Sequence, residues 1–285
     1  MSSPDTAIYI SYNGINAALV QSQVINYLRT LHGSGWHFLL ITFERQPLQT
    51  ELVNQRRTEL QALGIDWYPH FYRSGGAGMI SGLLRAAWLV SKLARRNHVS
   101  LIHCRSFIPA LVGAATGAIT GTPWIFDIRG FWVDEKAYKG SIRLNSASYR
   151  LGKWLEQQLY RRCAGLVTLT EASASIINQL PLWQGRRRPP VAVIPTCVDI
   201  PAFQLPRPSA SGARFGYLGS LGPGYMAQEI MAFFDAAVLT DVSFNLTLIS
   251  QTDAAQIPGF AQRRSRHEEQ LALAAAAPAE VAQRL

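Results

Sequence analysis

Short apolar runs recur through the first two hundred residues, and each is followed by a stretch whose apolar positions fall at helical spacing. Ala7-Ile8-Tyr9-Ile10, His37 to Thr42, Leu101 to Cys104, Trp124-Ile125-Phe126, Gly165 to Leu169 and Val191 to Ile194 suit buried parallel strands, with Ile65 to Pro69 a weaker one. Between them the spacing predicts helices over Ile15 to Leu31, Gln49 to Leu63, Met79 to Asn97, Phe107 to Thr120, Ser146 to Arg162 and Ala172 to Gln179. Gly33, Gly64 and the Gly121-Thr122-Pro123 break stop three of these helices, and the Thr170 hydroxyl is placed to cap another. Strands and helices in alternation predict an α/β fold built on a doubly wound parallel sheet.

The pattern pauses and then restarts. Residues 201–212 are rich in proline, serine and glycine and read as a linker. Phe215 to Leu218 is a strand, Gly219 to Tyr225 a glycine-rich loop, Met226 to Ala237 a helix and Phe244 to Ile249 another strand. The tail from Arg263 is basic, then alanine-rich; it could form a helix and predicts no further strand. The expected organisation is a Rossmann-like domain over 1–200, a linker over 201–212 and an incomplete second Rossmann-like domain over 213–285.

Hydrophobic residues make up 48% of the chain and charged residues 16%, which excludes a disordered chain. The net charge of +9 favours acidic partners: nucleotide phosphates, nucleic acid or anionic lipid headgroups. Cys104, Cys163 and Cys197 are too widely spaced for a zinc site or a disulfide framework, which points to a reducing compartment. Residues 1–5 carry neither the basic nor the apolar region of a secretory signal. Ser106 to Phe126 is uncharged, but Pro109 and the break at Gly121 make it a helix plus a strand rather than a membrane span.

The candidate chemistry lies between Ser100 and Trp132. Arg105 is expected just past the end of one strand, and Asp127 and Arg129 just past the end of the next. Ligands of open α/β sheets bind beyond such strand ends. Three charges beside Gly130, Phe131 and Trp132 suit an anionic, polyhydroxylated ligand; the same charges could instead form an Arg–Asp ion pair that holds the loops. The polar loop Ser11-Tyr12-Asn13-Gly14 follows the first strand, and Tyr72 to Gly78 suits a lid or acceptor loop. Helix 79–97 sets Leu83, Leu84, Trp88 and Leu93 among Arg85, Lys92, Arg95 and Arg96. That is either a basic amphipathic face for an anionic membrane or, the favoured reading, an ordinary helix covering the sheet with cations at its C-terminal end. The loop at Gly219 presents backbone N–H groups to a phosphate or is simply a tight turn.

Several segments, in this order, resemble family 4 glycosyltransferases. Ile102-His103-Cys104-Arg105-Ser106 is similar to the family's strand ending in H-x-H-S. Pro123 to Gly130 is similar to P-x-x-x-x-x-H-G, and Asp127 to Trp132 resembles the D-x-R-x-x-W form of members that build lipopolysaccharide and capsule. Glu156 to Glu171, Ile194 to Asp199 and Tyr217 to Gly222 resemble three further family segments. The resemblance implies the GT-B arrangement and transfer of a sugar from a nucleotide diphosphate sugar with retention. It implies neither a metal nor a cofactor beyond the donor. Asp127 and Arg129 are then the catalytic candidates, with Arg129 where many members have a histidine. Asn13, Gly14, His103, Arg105 and Glu171 fall on the acceptor or substrate side. Gly219, Ser220 and Gly222 fall at the donor diphosphate. Implied partners are a nucleotide sugar, a glycan or lipid-linked acceptor and an anionic membrane surface at the inner face of the cell membrane, with no nucleic acid. The family's E-x7-E segment has no counterpart here. The expectation is therefore a chain cut short or frame-shifted after about residue 260, with an acceptor- or membrane-binding remnant as the alternative function. Nucleic-acid binding rests on net charge alone and lacks a motif.

Overall fold

β1 (Asp5–Ser11) alternates its side chains between two cores, and the first fold unit is built outward from it. Ile8 and Ile10 face one core; Ala7 and Tyr9 face the other. The computed structural model describes residues 5–72, 75–185, 187–197, 214–222, 225–241, 243–276 and 280–281. The chain divides into two compact units, Met1–Val198 and Asp199–Leu285; the predicted linker 201–212 lies outside the described residues.

In unit 1, β2 (Trp36–Glu44), β3 (Ile65–Phe71), β4 (Leu101–Arg105), β5 (Trp124–Ile128), β6 (Gly165–Thr168) and β7 (Val191–Val193) join β1 in one all-parallel sheet of order β3-β2-β1-β4-β5-β6-β7. The order reverses between β1 and β4, which opens a crevice at their carboxyl ends. Helix α1 (Asn26–His32) and α2 (Thr50–Gln61) cover one face; α3 (Gly76–Arg96), α4 (Phe107–Thr120) and α6 (Ala147–Arg162) cover the other. The predicted helix 15–31 is not regular. A π-helical segment, Val20–Ile25, runs directly into α1. α3 begins three residues earlier than predicted, at Gly76, behind Gly75 with φ +99°. Thr170 caps α7 (Glu171–Asn178) as expected, accepting from Ser173 N–H at 3.1 Å. α5 (Trp132–Tyr138) is an added short helix that the sequence pattern does not announce.

α4 explains why its sequence is so rich in small residues. A Cβ at Gly113 would stand 2.2 Å from Cys104 Sγ, and one at Gly117 would stand 2.8 Å from Trp124 Cδ1. The helix therefore lies directly on β4 and β5, which fixes where those strands end. Its C-terminus closes on Gly121 in the left-handed region.

Unit 2 carries a second parallel sheet, β8 (Arg214–Leu218), β9 (Asn245–Ile249) and β10 (Leu271–Ala274), in the order β10-β9-β8. β10 corrects the expectation of a strand-free tail. Its four residues are uniformly apolar and look like helix by composition, yet Leu271 is fully buried and pairs with Leu246. α8 (Ala227–Thr240) packs on this sheet, and α9 (Phe260–Arg266) is tied to α8 by Arg263, which donates to Asp235 at 2.7 and 2.6 Å.

All three cysteines are free, and burial pushes the Cys163 thiol up to about 12. Gly113→Ala should destabilise the protein by ~1–3 kcal/mol through overpacking against Cys104. Urea unfolding followed by circular dichroism checks this; an unchanged midpoint would show that α4 can lift off β4 freely.

Candidate functional site

The strand ladder places the charges. Ser11 pairs with Arg105 and Arg105 with Asp127, so these three residues share one row and one face of the sheet. Tyr9 and His103 pair two residues earlier on the same face. This corrects the expectation that Arg105 and Asp127 lie past the strand ends. Arg105 is the last residue of β4, and Asp127 lies inside β5. Backbone pairing does not depend on side-chain polarity, so the ladder continues beyond the apolar runs.

The row is organised in depth. His103 is buried, stacks on Tyr9 with ring centroids 4.4 Å apart, and has Nε2 3.2 Å from Asp127 Oδ2. Burial, reinforced by the Asp127 charge, pushes the Tyr9 phenol far above its ordinary pKa, so Tyr9 stays neutral. Asp127 Oδ1 is buried and accepts no hydrogen bond; Arg129 Nη1 stands 3.6 Å from it. Above this layer are two guanidinium groups. Arg105 is 7% exposed and donates from Nη2 to Gln23 Oε1 at 2.6 Å. Arg129 Nη2 donates to the same oxygen at 3.1 Å and to Thr196 Oγ1 at 3.1 Å. Burial lowers the Arg105 pKa, and the Arg129 charge pushes the same way against Tyr9 and Asp127; a guanidinium nonetheless remains cationic at neutral pH.

These groups line an open cleft of ≈ 340 Å³ at the switch point of the sheet. Arg105, Arg129, Gln23 and Thr196 form its polar side; Tyr12, Leu19, Trp132 and Leu169 form its apolar side; Asn13 and Ser106 stand at the loop ends. Trp132 lies flat on Phe107, 4.8 Å between centroids with an interplanar angle of 1°. Its helix, α5, is fastened to α6 through Asp134, which accepts from Tyr149 OH at 2.6 Å and Lys153 Nζ at 2.8 Å; Lys153 also bonds the buried Glu156. Ser106 turns the chain from β4 into α4 at φ +82°, a region costly for a residue with a Cβ, and its N–H donates to Asp127 O at 2.8 Å.

The other residues singled out in the sequence fall in different places. Asn13 lines the cleft. Gly14 lies behind it, where a Cβ would meet Glu44 Oε2 at 2.3 Å; the Glu44 carboxylate also accepts from Ile15 N–H at 2.9 Å and Thr42 Oγ1 at 2.5 Å. Gly14 thus lets the β1 loop close onto a buried carboxylate. Glu171 is exposed in the first turn of α7 and does not line the cleft. Gly219, Ser220 and Gly222 form the turn after β8 in unit 2. Gly219 has φ +156°, its N–H donates to Ile249 O at 3.1 Å, and Leu221 N–H donates to Thr252 Oγ1 at 3.0 Å. Two amides of that loop are therefore already engaged. Gln23 is the residue sequence reasoning missed. It is one polar position among several on a helical stretch, and nothing in its spacing shows that a π-turn aims it at two arginines.

A family profile described as the glycosyl transferase 4-like domain matches residues 20–197. Comparison with curated protein sequences finds no match. Among solved structures, a glycosyltransferase from Rickettsia africae is similar with a TM-score of 0.66 at 12% identity, over 98% of this chain and 70% of that one. Anabaena Alr3699/HepE in complex with UDP is similar with a TM-score of 0.63 at 14% identity, over 96% of this chain and 70% of that one. The lipopolysaccharide outer core galactosyltransferase WaaB, in its apo form, gives a TM-score of 0.59 at 12% identity, over 98% and 70%. These likenesses identify the fold as GT-B.

Proposed function

The chain belongs to the glycosyl transferase 4-like domain family, and from that premise we propose that it transfers a sugar, with retention, from a nucleotide diphosphate sugar to a surface-polysaccharide or lipid-linked acceptor. The observation that carries the reading is the pair Arg105 and Arg129, two cations at the switch-point cleft of unit 1 that both donate to the one neutral oxygen of Gln23. HepE, whose structures hold UDP and glucose, supports a UDP-sugar as the donor class. WaaB, a lipopolysaccharide galactosyltransferase by name, supports a glycan acceptor.

The roles follow from the chemistry of the side chains. A guanidinium cannot serve as a general base, so Arg129 and Arg105 act electrostatically on charge that is present in the substrate or develops during transfer. Asp127 is a positioning residue: it lies under Arg129 and against His103 and does not line the cleft. Trp132 and Tyr12 supply flat apolar walls suited to a sugar ring. The turn Gly219 to Gly222 is assigned to the donor diphosphate. No cofactor beyond the donor is invoked.

A surface on α3 supports an acceptor presented on an anionic membrane. No helix among the described residues is long and apolar enough to cross a membrane. Ile80, Leu84 and Trp88, one helical turn apart, are 59%, 67% and 65% exposed. Lys92 lies over the Trp88 ring at 5.1 Å, Arg85, Arg95 and Arg96 flank the stripe, and α3 contains no acidic residue. An apolar stripe inside a cationic field is the composition of an interfacial helix.

Two outcomes are expected. Arg129→Ala should lower kcat/KM for sugar transfer by about a hundredfold while circular dichroism is unchanged; unaltered transfer would remove Arg129 from the mechanism. The protein should cosediment with phosphatidylglycerol vesicles and not with phosphatidylcholine vesicles, and Trp88→Ser with Lys92→Glu should abolish this. Cosedimentation that is indifferent to both substitutions would move the membrane contact elsewhere.

A further inference from the structure

We infer that Gln23 is the resident stand-in for a phosphate oxyanion, and that the cleft of unit 1 binds this anion between Arg105 and Arg129. Two guanidinium groups repel one another, and here both donate to one carboxamide oxygen, at 2.6 and 3.1 Å. A neutral oxygen can accept both hydrogen bonds but cannot balance two positive charges. Asp127, ion-paired with Arg129 at 3.6 Å, supplies one negative charge against two positive ones and so offsets only part of that charge. An oxyanion in the position of Gln23 Oε1 would accept from both groups with charge assistance. The cations are already in place to receive it: Arg105 is buried, and Arg129 is braced by Thr196.

The segment that delivers Gln23 is itself unusual. Val20–Ile25 is π-helical, with Val20 and Val24 fully buried and Gln23 half-buried between them. The wider i→i+5 turn changes which side chain faces the sheet, and such turns concentrate at functional sites. Gln23 is thus a specificity-determining residue: it holds the two guanidinium groups in register while the site is empty and swings away when the anion enters. The inference rests on the proposed sugar transfer only for the origin of the phosphate, which is either the donor's diphosphate or a phosphate on the acceptor.

The test is calorimetric titration of the full chain with inorganic phosphate and, separately, with UDP at constant ionic strength. Wild-type protein should bind phosphate. Gln23→Glu places a carboxylate between the arginines and should weaken phosphate about tenfold or more with no fall in melting temperature. Gln23→Ala should hold phosphate within about threefold of wild type. If UDP affinity falls with phosphate affinity in Gln23→Glu, the anion is the donor's; if phosphate alone is lost, it is the acceptor's; either result supports the site. Phosphate binding that is absent in wild type or unaffected by Gln23→Glu would overturn it. Should Gln23→Glu not fold, Arg105→Met decides: retained phosphate binding refutes the inference. Failed sugar transfer alongside phosphate binding that Gln23→Glu weakens would count against the proposed function alone.

Discussion

Two like charges at the end of a buried sheet repel, and unit 1 is arranged to hold them together. Arg105 and Arg129 converge on Gln23 Oε1, and each of the three residues is fixed by a different part of the fold. β4 fixes Arg105, the extension of β5 fixes Arg129 above Asp127, and the π-helical segment fixes Gln23. Two cations set against the single carboxylate of Asp127 leave excess positive charge in a partly buried site, which is unfavourable for stability. A fold that keeps that excess there holds a binding energy ready for an anion, which is how electrostatic preorganisation works in transfer chemistry.

The packing below and behind the cleft supports this arrangement. Strand parity puts Tyr9, His103, Arg105 and Asp127 on one face, so the stacked Tyr9–His103 pair forms a floor under the charged row. On the opposite face, the absent Cβ atoms of Gly113 and Gly117 let α4 seat on Cys104 and Trp124. That seating places Ser106 at the turn, where its strained backbone bonds to Asp127 O. The Lys153–Asp134–Glu156 cluster, anchored on the buried Glu156, holds α5 and with it Trp132. Burial raises the pKa of Glu156 despite the adjacent Lys153, which marks the cluster as a costly device kept for position.

Much of this was legible in the chain. The apolar runs locate the strands because a parallel sheet covered on both faces needs continuous apolar residues, and α4 runs from Phe107 to Thr120 as its composition indicates. Arg105, Asp127 and Arg129 stand out because charged residues follow apolar runs. Three features were not legible, for physical reasons. The ladder extends through Arg105 and Asp127 because backbone pairing is indifferent to side-chain charge. β10 is hidden because Leu-Ala-Leu-Ala has a strong helical propensity that pairing with β9 overrides. Gln23 is hidden because a π-turn leaves no periodic trace in a short helix. Glu171, prominent in the sequence, lies in solvent at the start of α7.

The central claim is that the Arg105–Arg129 pair receives the substrate anion, and side-chain nitrogen NMR observes it directly. The Nε–Hε resonances of the two arginines, assigned through Arg105→Lys and Arg129→Lys, are followed while a nucleotide diphosphate sugar and then inorganic phosphate are added. The account predicts that these two signals shift together and saturate at one ligand concentration for at least one of the two ligands, while other arginine signals stay in place. If both signals remain fixed through both titrations while signals elsewhere in the protein move, the anion binds outside the cleft and the account is contradicted.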